Sequence, residues 1–364
     1  MTTHSPAHSS TQSLPVSSPV SGLPYAPSWV DRLTDWLERL PGSVWGFYLA
    51  AALLLNLLNA SLEWRIGSYP VGTFDPAHLV TAGSCVGYLA LIHYLDRAAG
   101  RALVKYQPAF DSERGNPDEL RYRLTTMPAR SVRRVTAAGI LYGLGVGYTI
   151  DRGWVLPNVV AFEAPTTAWL DWLVIVSANV MMMLFIYHTI HQLRIINHVY
   201  TTCTHIDIFH LTPLYAFAGL AARTALGWLA TAYIWLIAMP PGAPDSLLLA
   251  NTLVVALLGL VAFIWPLVGI HRLLEEEKTR HQVAVRRRVQ AAMEEMHRRV
   301  DVRRFDETVP ITELLTGLKQ EMDILDQIPT WPWQPELFRT VLTAVLLPIL
   351  LWFITRAIER FVAF

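Results

Sequence analysis

Charge is scarce in this sequence, and cysteine and lysine are scarcer still. Only 16% of the 364 residues are charged, against 53% hydrophobic, where soluble domains carry roughly 25% charged residues. That shortage excludes an ordinary soluble domain and leaves an integral membrane protein. Two cysteines, Cys85 inside an apolar run and Cys203 in a polar one, exclude a disulfide scaffold and a paired-cysteine metal site. The only lysines are Lys105, Lys278 and Lys319, so the basic residues are nearly all arginine, and they gather between apolar runs. Such clustering reports membrane orientation, not nucleic-acid binding. The first 27 residues hold no Arg or Lys, which excludes the basic start of a secretory signal. Rich in Ser, Pro and Thr, residues 1–27 are expected to form a disordered tail.

What is present is a series of apolar runs. A helix needs roughly 20 apolar residues to span a bilayer, and seven runs approach that length: 44–62, 77–95, 134–150, 168–187, 213–238, 247–270 and 337–358. The expected fold is all-α, a polytopic membrane protein of seven transmembrane helices with a cytoplasmic helical subdomain. Lys and Arg favour the cytoplasmic side. The segment after the second run is basic from Arg97 through Arg134, and the one before the last run is more basic still. Those after the first, third and fifth hold at most Arg65, Arg152 and no basic residue. The N-terminus is therefore expected inside and the C-terminus outside, in the plasma or inner membrane of the cell. Arg356 and Arg360, at the outer end of the last run, oppose this assignment for the seventh helix.

Between the tail and the first run, residues 28–40 place Trp29, Val30, Leu33, Trp36, Leu37 and Leu40 on one helical face. This pattern predicts an amphipathic helix lying in the membrane interface. In the third run, Gly139, Gly143 and Gly147 recur at four-residue spacing, which lets a neighbouring helix approach closely. Residues 44–270 form the six-helix membrane region, and the fourth to sixth helices are expected to extend into the cytoplasm. A cytoplasmic helical segment follows over 271–328, with one apolar stripe from Val285 through Met293 to Val300 and another from Leu314 through Leu318 to Leu325. Over 329–364 the prolines of "IPTWPWQPE" stop the helix, Trp331 and Trp333 suit the headgroup layer, and the chain re-enters as the seventh helix.

Five histidines fall in "HTIHQLRIINHVYTTCTHIDIFH", residues 188–210. His191, His198 and His205 are seven residues apart, roughly 10 Å of helical rise, so they do not share one ion. His188 and His191 are one turn apart, and His93 and His271 reach the same leaflet. These four are the candidates for a zinc ion held by nitrogen ligands or a haem between two imidazoles; a proton-responsive interface and plain polar packing are the alternatives. No zinc or haem motif accompanies them, so no cofactor is assigned. Intramembrane polar residues mark functional positions by default: Asn56 and Asn59 in the first helix, Asn179 in the fourth, Arg223 in the fifth and Asn251 in the sixth.

Seven helices with the N-terminus inside, cytoplasmic extensions of helices 4 to 6, and a chain that stops just after helix 7 resemble the plan of the insect odorant and gustatory receptor channels. The likeness covers residues 44–364 as topology. In that family the last helix lines a tetrameric pore and the extensions anchor the subunits, so the resemblance implies a homo-oligomeric ion channel or channel-like receptor. The gustatory pattern of Thr-Tyr, four apolar residues and Gln-Phe is absent from "LFRTVLTAVLLPILLWFITRAIERF", and no binding residue is carried over. "IPTWPW" and "PLYAFAGLAARTA" also look like uncharacterised bacterial multi-pass membrane proteins. A retinal protein is disfavoured by the lysine-free seventh helix, and a G-protein-coupled receptor by its opposite orientation. The second function class is a non-conducting membrane sensor or scaffold whose cytoplasmic helices recruit a protein partner; the third is a haem or metal redox protein. No catalytic residue is identified, and an enzyme is disfavoured.

Overall fold

Three helices start on a side-chain cap among the described residues. Trp29–Arg39 (α1) opens with a capping box: Ser28 Oγ accepts from the Asp31 N–H, and Asp31 accepts from the Ser28 N–H, satisfying donors the first turn leaves unpaired. Val44–Ile66 (α2) ends on Gly67 at φ 83°, a left-handed conformation that glycine adopts without strain. Asp75 caps Pro76–Tyr106 (α3) and Asn116 caps Pro117–Thr125 (α4), each followed by a proline pre-set for the first helical position. The remaining helices are Ala129–Asp151 (α5), Ala168–Thr202 (α6), Tyr215–Ala238 (α7), Asp245–Asp301 (α8), Val309–Gln327 (α9) and Pro335–Val362 (α10). This computed structural model describes residues 23–154, 168–238, 245–333 and 335–362, and among them there is no β-strand.

The protein is all-helical, and among the described residues five helices, α2, α3, α6, α7 and α8, are long and apolar enough to cross a membrane. The expected runs 134–150 and 337–358 form α5 and α10. Helix α5 is not among the five, since Arg130, Arg133 and Arg134 occupy its first turns and lower its apolar content; much of the second half of α10 lies outside the residues described in full.

At the centre, α3 packs on α2, α6 and α7, while α7 packs on α8, and α10 covers α7 and α8. Ile92 and Leu95 of α3 meet Leu184, Phe185 and Ile196 of α6 and Phe217 and Leu220 of α7 in one fully buried core. Within lipid, such contacts stabilise by close packing more than by leaving water. The glycine spacing of α5 has that use. Gly139 and Gly143 lie so close to α6 that an added Cβ would stand 2.9 Å from the Val180 Cα and the Val176 Cα, and at Gly147 it would strike the Trp172 ring.

Helices α6 and α8 exceed the thickness of a bilayer by the most. The 35 residues of α6 and the 57 of α8 span about 52 and 85 Å, against a hydrocarbon core of about 30 Å. The outer part of α8 pairs with α9. Lys278 Nζ donates to the Asp326 and Ile328 carbonyls, each at 2.9 Å, at the end of α9, where a cation is favoured by unpaired carbonyls. Val285, Leu318 and Leu325 are buried, and Gln282 Nε2 donates to Asp326 Oδ1 at 2.7 Å.

Two sequence expectations are modified near the N-terminus. Residues 25–27, placed above in the tail, are held: the Tyr25 hydroxyl donates to the Thr126 carbonyl at 2.9 Å, and Pro27 bridges Pro128. The rest of the expected tail through residue 22 lies outside the described residues, as do 155–167 and 239–244 of the basic-poor connections. Helix α1 packs on protein, not only on a membrane surface. Val30, Asp31 and Thr34 are buried, and Trp29 Nε1 donates to Thr136 Oγ1 at 3.3 Å. Leu33 and Leu37 face the core, which leaves Trp36, 55% exposed, on the opposite flank.

Candidate functional site

Near the ends of α3 and α6 that adjoin α1 and α4, polar side chains meet inside the helix bundle. The sequence "HYLD" puts His93 and Asp96 one turn apart on α3, hence on one face. The Tyr48 hydroxyl of α2 donates to His93 Nδ1 at 2.9 Å, and His93 Nε2 donates to Glu38 Oε1 of α1 at 2.8 Å. Arg97 Nε lies 3.2 Å from the same Glu38 oxygen. One turn from His93, Asp96 Oδ1 accepts from His188 Nε2 of α6 at 2.8 Å. His188 Nδ1 is buried and finds no hydrogen-bond partner among the described residues.

The neighbours of His188 extend the web. Thr189 Oγ1 accepts from Trp228 Nε1 of α7 at 3.2 Å, and Gln192 Nε2 donates to the Leu124 carbonyl of α4 at 3.2 Å. Thus α6 is tied to α3, α4 and α7 within about one helical turn. Beside it, the buried Asp31 of α1 accepts from the Met127 N–H at 3.1 Å, and burial pushes its carboxyl up to about 6. Burial also raises the Tyr25 hydroxyl above its ordinary range, and Tyr122 follows in the same direction for the same reason.

The four histidine candidates are separated by their partners. His93 is held by Tyr48 and Glu38, His188 by Asp96, and His191 stacks on Tyr187 with ring centroids 5.7 Å apart. His271 stacks on Trp331 at 3.9 Å and donates from Nδ1 to the Thr330 carbonyl at 3.2 Å. Among the described residues no three His, Cys, Asp or Glu side chains converge as metal ligands. Each ring is engaged separately, an arrangement that orients the imidazoles one by one and does not face two of them across a haem.

A second candidate place lies toward the other end of the bundle. A cavity of about 210 Å³ is formed between α2, α3, α5, α6 and α7; its wall is largely apolar, with Val146, Val174, Ile175 and Met182 among its residues, and Asn59, Asn179, Asp171 and His78 add a few polar groups. Asn59 is buried, and its Oδ1 has no partner among the described residues. Asn179 Nδ2 donates to the Ile175 carbonyl at 2.8 Å. Drug-sized ligands occupy roughly 300–1,000 Å³, so this space suits a smaller molecule. Asn56 borders an adjoining cleft and spends its amide on the Ala52 carbonyl at 2.9 Å. Arg223 stands apart from both places, exposed at the first turns of α7. The side chain of Asn251 lies outside the described residues.

Sequence reading misses Glu38, Tyr48, Asp96 and Asp171. The signal for Asp96 is its one-turn spacing from His93; for Asp171 it is a lone carboxylate four residues into an apolar helix, buried all the same. Glu38 and Tyr48 carry no such mark, since only the fold brings α1 and α2 against α3. Comparison of the chain with protein-family models, with curated proteins and with solved structures returns no match.

Proposed function

We propose that this multi-pass protein is a membrane sensor that couples a small-ligand cavity in the outer half of the bilayer to a cytoplasmic helical arm. In this reading the chain crosses seven times, with α5 and α10 as the third and seventh crossings. The N-terminus, α4 and the α8–α9 arm stand in the cytoplasm. The assignment rests on the arginine load of 97–134 and 271–336 and on the positive-inside rule. It is supported by the contacts of Tyr25 and Pro27 with residues 126–128, which set the N-terminal segment beside an arginine-bearing one.

One observation carries the sensor reading. The cavity and the His93–Asp96–His188 network share α3 and α6, so a ligand that spreads these helices at one end strains the buried links at the other. Coupling of this sort needs a two-state element biased at both sites, and helices crossing the whole bundle supply it. The arm is the output surface. Met293, Val300, Val302, Phe305, Val309 and Leu314 are exposed at and near its tip, which favours assembly with further copies or a cytoplasmic partner.

The test fills the cavity. Ala178→Trp, in the cavity wall, is expected to change amide hydrogen exchange over residues 188–202 and 271–327. Unchanged exchange there, in a protein that remains folded, contradicts the coupling.

The channel reading has one observation in its favour. Leu342, Leu346, Leu350 and Ile354 form an exposed stripe at four-residue spacing along α10, a face able to pack around a symmetry axis. Ion flux through protein-containing liposomes above that of empty ones decides for a channel, and its absence for the sensor.

A further inference from the structure

Arg223 takes part in neither place described above, and its surroundings give it a different use. It shares a cavity of about 620 Å³ with Arg101 and Lys105 of α3 and with His210 and Thr212 ahead of α7. The residues around this cavity include no Asp or Glu, and none of Arg101, Lys105 and Arg223 forms an ion pair with a carboxylate among the described residues. Arg97, one turn away, is by contrast already paired with Glu38. The guanidinium of Arg223 lies back over Gly219, where an added Cβ would stand 3.5 Å from one of its terminal nitrogens, so the missing side chain leaves room beside the charge. Helix α7 begins at this cavity, with Thr212, Pro213 and Tyr215 in its wall, and the positive end of a helix favours an anion. Three cations kept together without a counter-charge repel one another, and an anionic ligand relieves that repulsion.

The shape of the ligand follows from what adjoins the cavity. Arg101 also borders a groove of about 520 Å³ formed by Trp45 of α2 with Gly87, Ala90, Leu91 and Tyr94 of α3. Gly87 through Tyr94 covers about 10 Å along the helix, within the roughly 15 Å of one leaflet of the hydrocarbon core; this part of the groove is apolar and aromatic, and Arg97, already paired with Glu38, and Arg101 close its end. We propose that this surface binds an anionic phospholipid, its phosphate among Arg101, Lys105, Arg223 and His210 and an acyl chain along the α3 groove. A soluble phosphate shares the headgroup chemistry, but it leaves the apolar groove unused. The inference needs only that α3 and α7 cross a bilayer; it is independent of the sensor reading, and its failure leaves that reading untouched.

The experiment uses the full-length protein purified in mild detergent and supplied with phosphatidylglycerol, phosphatidylcholine or inorganic phosphate, read by native mass spectrometry and by thermal unfolding. Phosphatidylglycerol is expected to be retained and to raise the unfolding temperature, with phosphatidylcholine retained less and inorganic phosphate without effect. Arg101→Gln and Arg223→Gln are each expected to weaken phosphatidylglycerol retention about fivefold, the effect of one cation at a membrane surface. Lys105→Glu, an exposed charge reversal, is expected to weaken it further, and Arg286→Gln on the distant arm to leave it unchanged. Equal retention of both lipids overturns the proposal. So does equal loss in Arg286→Gln, which would mark non-specific attraction, or stabilisation by inorganic phosphate without lipid retention, which would mark a soluble ligand.

Discussion

Asp96 of α3 and His188 of α6 meet at 2.8 Å, with 14% of the Asp96 side chain and 2% of the His188 side chain exposed. Removing one member of an enclosed hydrogen-bonded pair leaves the other's polar group unsatisfied, at a cost of about 1–3 kcal/mol. Asp96→Ala and His188→Ala are each expected to lower stability in detergent by that order. The double variant is expected to lose less than the sum, since neither group is then left alone. Unfolding monitored by tryptophan fluorescence measures all three, and strict additivity would show that the contact contributes nothing.

Close approach of α5 to α6 gives a sharper contrast. At Gly143 a methyl group would meet the Val176 backbone at 2.9 Å, whereas at Gly145 it would meet nothing within 4 Å. Gly143→Ala is expected to destabilise by about 1–3 kcal/mol through overpacking. Gly145→Ala, which only removes glycine from a helix, is expected to be neutral or mildly stabilising. Thermal unfolding of the two variants side by side checks the order.

Docking of α1 should depend on pH. Burial raises the Asp31 carboxyl to about 6, above the value near 3.9 expected when it is free. The docked state therefore binds more protons than the released one between those values, and docking weakens as pH rises through about 6. Hydrogen exchange of residues 28–39 is expected to quicken from pH 5 to pH 7 beyond the intrinsic rate change. Asp31→Asn, which cannot ionise, should remove that excess; an unaltered pH profile in the variant contradicts the assignment.

The arm supplies the test of assembly. Met293 is 43% exposed on α8, between the buried Val285 and the exposed Val300, so the stripe continues past the surface α9 covers. A closed homo-oligomer is the expected state, and Met293→Glu is expected to weaken it by placing an unpaired charge in an apolar contact. Native mass spectrometry from detergent reads the change. A monomer at every concentration, indifferent to the substitution, removes the assembly claim.

Much of the architecture is legible in the residues because apolar length and glycine spacing are local. Gly139, Gly143 and Gly147 mark a contact face whose partner, α6, only the fold identifies. The third apolar run is the weakest of the seven, since α5 mixes arginine with its apolar residues and is not among the five candidate spans found among the described residues. The histidine-rich stretch was visible, but its chemistry was not. His93 and His188 are joined to Glu38 and Asp96 by contacts 55 and 92 residues apart in the chain, and no spacing rule reaches that far. The polar members of the cavity wall are legible through Asn59 and Asn179, and Asp171 through its place as a lone carboxylate near the start of an apolar run.

Sidedness is the claim on which the sensor reading depends, and cysteine accessibility measures it directly. On a Cys85→Ala, Cys203→Ala background, single cysteines at positions 114, 290 and 160 are treated with a membrane-impermeant thiol reagent in intact and in opened cells. Positions 114 and 290 are expected to react only after the cells are opened, and position 160 in intact cells. Reaction of position 290 in intact cells would place the α8–α9 arm outside and contradict the account.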